Sequence, residues 1–374
     1  MRILFVTGGS PATVFPLTPL ATAARNAGHE VFFAGNEQTM SAIAGAGLPG
    51  VSLSAIPIRH HITTDRSGVP VEEPTDPGAH MRYIGHAFGR LAAACLDPLL
   101  ELGTAWHPHV VVGGMLTFAA PLLAARLGVP YVRHSWDTGE PPVVDVAAEQ
   151  ELRPELARLG LDRIPAADLW IDICPPSLRP ADAPPAQPMR FVPANMQQTL
   201  EPWMYDRGAA RRICVTAGTK VARDNFFSYL CDLVQKVKPL DAEIVVAAPS
   251  AVADELTGLL GVRAGWLPLD VVARTCDLLV HHAGGGTALT AMACGVPQLL
   301  IPNMPKLMAP SERLAGYGAA VMLPPGADTA EAIAESTEAI LTTPSYRERA
   351  GALAGEIAAL PPVAEVLGVV EKLG

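Results

Sequence analysis

No two cysteines in this sequence stand at C-x-x-C or other metal-ligand spacing. The six, Cys95, Cys174, Cys214, Cys231, Cys276 and Cys294, read as small buried side chains in a reducing compartment, which argues against a zinc module or a disulfide scaffold. Net positive charge is missing too: a formal charge of -10 leaves nothing to offset phosphate repulsion. Nucleic acid and an anionic membrane surface are therefore not expected partners, although a local basic pocket for one phosphorylated ligand is compatible. The start lacks the basic region, apolar stretch and cleavage site of a secretory signal, since Met1 passes straight into the strand-like RILFV. Nor is there an unbroken run for a membrane span: the most apolar window, Val110 to Ala125, is interrupted by Gly113, Gly114 and Pro121 and ends at Arg126. A cytoplasmic protein is the expectation.

What the sequence has in quantity is apolar residues, 49% against 17% charged, enough for well-supplied cores. At 374 residues it exceeds one comfortable core, so two domains of roughly 150 to 200 residues are expected. The pattern agrees. RILFV is an apolar run, TGGSPATVFP a turn-rich loop, LTPLATAARNAG helical, and HEVFFAG again a strand. Strand, loop, helix and strand make a right-handed βαβ unit with a parallel sheet. The unit recurs at HVVVGG (109–114) and VPYVRHSW (129–136), and a second series begins at RRICVTAG (211–218). The fold class predicted is α/β, with two Rossmann-like doubly wound domains facing an interdomain cleft and ligands at the carboxyl ends of the strands.

The expected division is 1–197 for the first domain, 198–211 for a linker, 212–360 for the second, and 361–374 for a terminal helix packing back on the first. The proline-dense stretch 174–197 cannot be regular helix or central strand. Residues 56–80 read as a long irregular loop, of a length more typical of function than of connection.

The most informative segment is VHHAGGGTALTAMACGVPQLLIP, 280–302. Glycines between a strand and a helix let backbone amides approach an anion, and the helix N-terminus adds free N–H donors and partial positive charge. His282 is placed to reach the same anion, and Thr287 to act as N-cap or hydroxyl donor; a plain glycine-rich turn with a core histidine is the competing reading.

W-x-P-L-D at Trp266 to Asp270, CDLLVHHAGGGT (276–287), AMACGVPQLLIP (291–302) and YGAAVML (317–323) together resemble the donor region of family 1 glycosyltransferases of GT-B fold. With SPATVFPL, DICPPSLRP (172–180) and LEPWMY (200–205), the whole chain resembles the actinomycete deoxysugar transferases that act on angucycline-type aromatic polyketides. The resemblance implies a dTDP-sugar donor held by the second domain, with no cofactor beyond that co-substrate. It implies that Trp266 stacks on or borders the base, with Leu267 backbone groups at its edge. It also implies that His282, Gly285, Gly286 and Thr287 hold the diphosphate, with Thr216, Gly218 and Thr219 assisting. No DxD stands near this site, so the leaving group would be stabilised by dipoles and His282 rather than by a metal.

On the acceptor side, many family members carry a histidine base in the loop after the first strand; here that position is Thr13, whose hydroxyl cannot serve near neutral pH. Asp137, in HSWDTGE, is the substitute expected, with Ser10 and Thr13 orienting it or the acceptor. Its competing reading is a loop or cap carboxylate. His60, with Arg59 and His61, would border the acceptor, and Met81, Met115, Leu116 and Trp136, with Phe88, could form an apolar slot for a polycyclic ring system. Glucose-type relatives place Asp-Gln where this chain has Lys306 and Leu307, which suits a donor with fewer hydroxyls, such as D-olivose. The activity expected is inverting, metal-independent transfer of a 2,6-dideoxysugar, O-glycosylation favoured over C-glycosylation. A sugar-nucleotide epimerase and a non-catalytic helper of the same fold are the alternatives of another class; a homodimer is left open.

Overall fold

The computed structural model describes residues 1–139, 141–219 and 221–374. Apolar runs bounded by glycine and proline become parallel strands, fully buried at the centre of each sheet, as sheets covered on both faces require, and more open at the edges. In the first sheet these are β1 (Arg2–Val6), β2 (Glu30–Asn36), β3 (Gly50–Ser54), β4 (Val110–Gly114), β5 (Tyr131–His134), β6 (Leu169–Asp172) and β7 (Gln187–Pro188). Their order is β3-β2-β1-β4-β5-β6-β7, every pairing parallel. The second sheet holds β8 (Arg212–Thr216), β9 (Glu243–Ala247), β10 (Arg263–Gly265), β11 (Leu278–His281), β12 (Gln298–Leu300) and β13 (Ala320–Met322). Its order is β10-β9-β8-β11-β12-β13, again all parallel. In each sheet the winding reverses once, between β1 and β4 and between β8 and β11. Loops at the carboxyl ends of the strands flanking such a reversal diverge and leave room for a ligand.

The chain forms two units whose segments alternate along the sequence. One comprises Met1–Cys174, Pro180–Arg190 and Leu360–Gly374; the other comprises Pro175–Arg179 and Phe191–Ala359. The chain therefore crosses between units at several points, and not through a single linker at 198–211. Within the first unit, Met189 N–H donates to Asp172 O and Arg190 N–H to Pro361 O, which ties 180–190 and the terminal segment together. Within the second, the Ser177 hydroxyl donates to Glu356 at 2.6 Å and Asn195 to Asp270 at 2.7 Å, which draws 175–179 and the start of the expected linker region into it. The terminal helix Val363–Glu371 packs on helix Thr18–Asn26, with His29 Nε2 2.6 Å from Glu371. By length and composition Pro344–Glu371 could cross a membrane, but Pro361 and Pro362 split it into Pro344–Ala359 and Val363–Glu371, which go to different units.

Residues 56–80 are more regular than their composition suggests. Ile58 and His61, three apart, are both buried, and the helix Ile58–Thr63 forms to bury them. Asp65 then accepts from the amides of Ser67 and Val69, and Asp76 caps the 30-residue helix Pro77–Trp106 by accepting from Ala79 N–H at 2.7 Å. Gly85 and Gly89 let helix Val143–Glu151 lie directly on that long helix; a Cβ on Gly89 would stand 2.7 Å from Glu151 Cβ.

Candidate functional site

The loops after β8 and β11 meet at the reversal point of the second sheet. Gly218 has φ +85°, and a Cβ there would lie 2.6 Å from His282 Cε1. A Cβ on Gly284 would lie 2.5 Å from His282 Nε2. The imidazole is thus seated between two glycines that only the absence of side chains permits. Thr216, buried at the end of β8, shapes the first loop by accepting from Gly218 N–H at 3.0 Å, and Thr219 follows it half-buried. Helix Gly285–Ala293 begins at once, with Gly284 as its N-cap and no side chain capping its first turn. Gly285, Gly286 and Thr287 therefore occupy the first three helical positions, where amides have no intrahelical acceptor. Thr287 is not the cap, because the left-handed Ala283 (φ 63°) starts the helix with Gly284 as N-cap, three residues before Thr287. His281 is fully buried in β11, and burial together with the charge of neighbouring His282 lowers its pKa to about 3.

Trp266 follows β10, and its indole N–H donates to Met196 O at 2.9 Å, which fixes the ring while using its polar edge. Leu267 is buried among Met204, Cys214 and Val272. Lys306 and Leu307 lie in the 3-10 turn Pro305–Leu307. Leu307 is 2% exposed and its carbonyl accepts from the Ser311 hydroxyl, so its side chain is a packing residue and not an open wall for a sugar. Among the described residues no group of three or more His, Cys, Asp or Glu side chains could hold a metal ion.

In the first unit the loops after β1, β4 and β5 share the carboxyl edge of the sheet. Thr13 Oγ1 donates to Ser10 O and accepts from Thr7 Oγ1, both at 2.8 Å, so its hydrogen is held by the backbone and it orients the loop. Gly9, anchored by its N–H to Asn36 Oδ1 at 3.0 Å, lies against Phe88, where a Cβ would be 3.2 Å from the ring. Phe88 in turn faces Trp136 at 6.4 Å between ring centroids. Asp137 comes next, 8% exposed, with Oδ1 accepting from Thr138 N–H at 2.7 Å. Phe88 thus bridges the loop carrying Ser10 and Thr13 to the one carrying Asp137.

The apolar slot is different from expectation. Met81, Met115, Leu116 and Trp136 are all buried members of the unit's core, because the long helix and the loop after β4 pack on one another. Phe88 is only partly buried against that core. His60 is exposed on helix Ile58–Thr63, while its neighbour His61 turns inward, its pKa lowered to about 4 chiefly by burial. Arg90 Nε donates to His61 O at 2.8 Å, and Glu151 accepts from Arg66 at 2.8 Å and from Arg90 at 3.4 Å, with His86 Nδ1 lying 3.4 Å away. That network escaped the sequence reading, since its members come from three distant segments. Gln298 escaped it as well, although a glutamine inside the buried strand PQLLI is a visible signal.

Two domain profiles of the erythromycin biosynthesis protein CIII-like family cover most of the chain, the N-terminal one matching residues 22–218 and the C-terminal one 231–373. The chain belongs to this family. As a CIII-like protein it is a glycosyltransferase of GT-B fold, in the class of deoxysugar transferases of actinomycete antibiotic pathways. The L-demethylnoviosyl transferase of Streptomyces niveus is 34% identical to it over 371 residues, 98% of this chain and 96% of that protein. The crystal structure of the glycosyltransferase SsfS6 of Streptomyces sp. SF2575, complexed with thymidine diphosphate, matches at TM-score 0.89 and 33% identity over 100% of this chain and 99% of that one. The spinosyn rhamnosyltransferase SpnG, solved with thymidine diphosphate and with spinosyn aglycone, matches at TM-score 0.86 and 28% identity over 99% of this CIII-like chain and all of that one.

Proposed function

We propose that the protein is an inverting glycosyltransferase moving a 2,6-dideoxysugar, D-olivose, from a dTDP donor to a hydroxyl of an angucycline-type aromatic polyketide. The observation that carries this reading is the His282 imidazole held between Gly218 and Gly284 beside the uncapped start of helix Gly285–Ala293. Thymidine diphosphate in the SsfS6 and SpnG structures supports a thymidine-type donor. His282 and the amides of Gly285, Gly286 and Thr287 hold the diphosphate, with Thr216, Gly218 and Thr219 shaping the facing loop and Trp266 bordering the base. Asp137 takes the proton of the acceptor hydroxyl, whose oxygen forms the new bond to the anomeric carbon from the face opposite the diphosphate. The old bond to phosphate oxygen breaks, and the departing negative charge falls on preorganised donors, a set that meets it without a divalent ion. With Leu307 buried, the choice of a hydroxyl-poor sugar is supported by Lys306 standing where glucose-type relatives have an acidic residue, and by the 2-deoxy-L-fucose in the name of a Streptomyces galilaeus relative, the aclacinomycin-T 2-deoxy-L-fucose transferase.

The test is incubation with dTDP-D-olivose or UDP-glucose and an angucyclinone, followed by product mass and acid treatment. An acid-labile olivoside is expected. Equal use of UDP-glucose would reject the dideoxysugar assignment, and an acid-stable product would make the protein a C-glycosyltransferase.

A further inference from the structure

Ala283 is one of three non-glycine residues with positive φ among the described residues, with His107 and Phe226, and it lies in the loop between β11 and the helix that begins at Gly285. A side-chain-bearing residue is disfavoured in that region and stays there only when its surroundings hold it. The restraint lies directly behind the loop. Ala283 N–H donates to His281 Nδ1 at 3.2 Å, so Nδ1 is the acceptor and the neutral ring carries its proton on Nε2. Nε2 therefore donates to Gln298 Oε1 at 2.9 Å, which leaves the Gln298 amide to donate to Ala288 O at 3.3 Å. Both side chains are buried, the low pKa of His281 keeps its ring neutral through neutral pH, and the two hydrogen bonds select the tautomer.

We infer that His281 and Gln298 are positioning residues for the donor site, a relay from Ala283 N–H through His281 and Gln298 to Ala288 O that holds Ala283 left-handed. That turn folds Gly284 under the His282 ring and starts the helix at Gly285, so the imidazole and the free first-turn amides converge. The relay's far end is on the helix that the turn begins, and its middle spans β11 and β12, so strand, turn and helix are locked as one piece. The inference rests on the reading of His282 as a diphosphate ligand.

The experiment measures thymidine diphosphate affinity by calorimetry and unfolding temperature for the full chain and for Gln298→Met, Gln298→Met with Ala283→Gly, and His282→Ala. Gln298→Met should weaken the nucleotide about tenfold, the scale of one lost buried hydrogen bond. Adding Ala283→Gly, which adopts positive φ freely, should recover most of that affinity while the unfolding temperature stays low, because the His281 proton still lacks an acceptor. A role confined to stability would not separate the two readouts. Unchanged affinity in Gln298→Met, or a loss that glycine does not recover, overturns the relay. Should Gln298→Met fail to unfold cooperatively, Ala283→Val decides: it leaves the relay atoms in place but hinders the left-handed backbone, so about a tenfold loss is expected and none overturns the inference. Unchanged affinity in His282→Ala would overturn the diphosphate reading itself, whereas loss there with none in Gln298→Met would sink the relay alone.

Discussion

The Cε1 atom of His282 occupies the place where a Cβ on Gly218 would come within 2.6 Å. Gly218 also has φ +85°, so it is held to glycine twice, by backbone and by space. Gly218→Ala should displace the imidazole and lower donor affinity at least about tenfold, the order of one charge-assisted contact. Nucleotide titration with the folded variant checks it.

Gly286 is the contrasting case. A Cβ there meets nothing within 4 Å and the residue is exposed, so Gly286→Ala should leave the unfolding temperature unchanged or raise it slightly by helix propensity. If the helix start receives the diphosphate, the same variant nevertheless weakens donor binding, because the methyl blocks close approach. Full affinity in Gly286→Ala would move the phosphate elsewhere.

Asp137→Asn should reduce kcat about a hundredfold or more, the usual range for a general base, with donor KM little altered. Because a phenol ionises by itself near pH 10, activity of the variant should rise toward alkaline pH more steeply than that of the native enzyme. A parallel pH-rate profile would show that Asp137 is not the base.

Glu151 gathers Arg66, Arg90 and His86 and so fastens the segment after helix Ile58–Thr63 to the long helix. Glu151→Ala leaves the buried Arg90 without its carboxylate, a cost of about 1 to 3 kcal/mol once partial exposure of Arg66 is discounted. The unfolding temperature should drop while thymidine diphosphate affinity, assigned in the proposed function to the other unit, stays constant; a parallel fall in both would contradict this.

His134 and His281 are held at about 4 and about 3, below the ordinary 6.5, mainly because burial penalises the charged ring. The unfolded chain takes up protons at these positions as pH falls through 6.5, while the folded protein does not. Their contribution to stability is therefore full above 6.5 and is lost progressively as pH falls toward the folded values, at about 1.4 kcal/mol per unit per ring. Urea unfolding should show stability rising with pH across that window, and His134→Phe should reduce the slope by about one proton. A slope unaltered by that substitution would remove His134 from the account.

The strands and the glycine-rich start of helix Gly285–Ala293 could be read from sequence because apolar runs and glycine placement are local signals. His281 ends a buried strand and His282 opens the loop after it, and the apolar run DLLV before them is the local signal for that difference. Leu307 was not: its burial follows from a 3-10 turn joined to helix Met308–Tyr317, and a register count cannot show which way a side chain in such a turn faces. Met81, Met115, Leu116 and Trp136 failed as an open slot because core and pocket linings share one composition. The link from Gly9 through Phe88 to Trp136 joins residues far apart in the chain, and only packing discloses it.

The last fifteen residues, Leu360–Gly374, complete the unit that the first strand begins, with Pro361 bonded to Arg190 and Glu371 to His29. During synthesis the amino-terminal half therefore leaves the ribosome lacking a piece of its own surface, and receives it only after the whole of the other unit has been made.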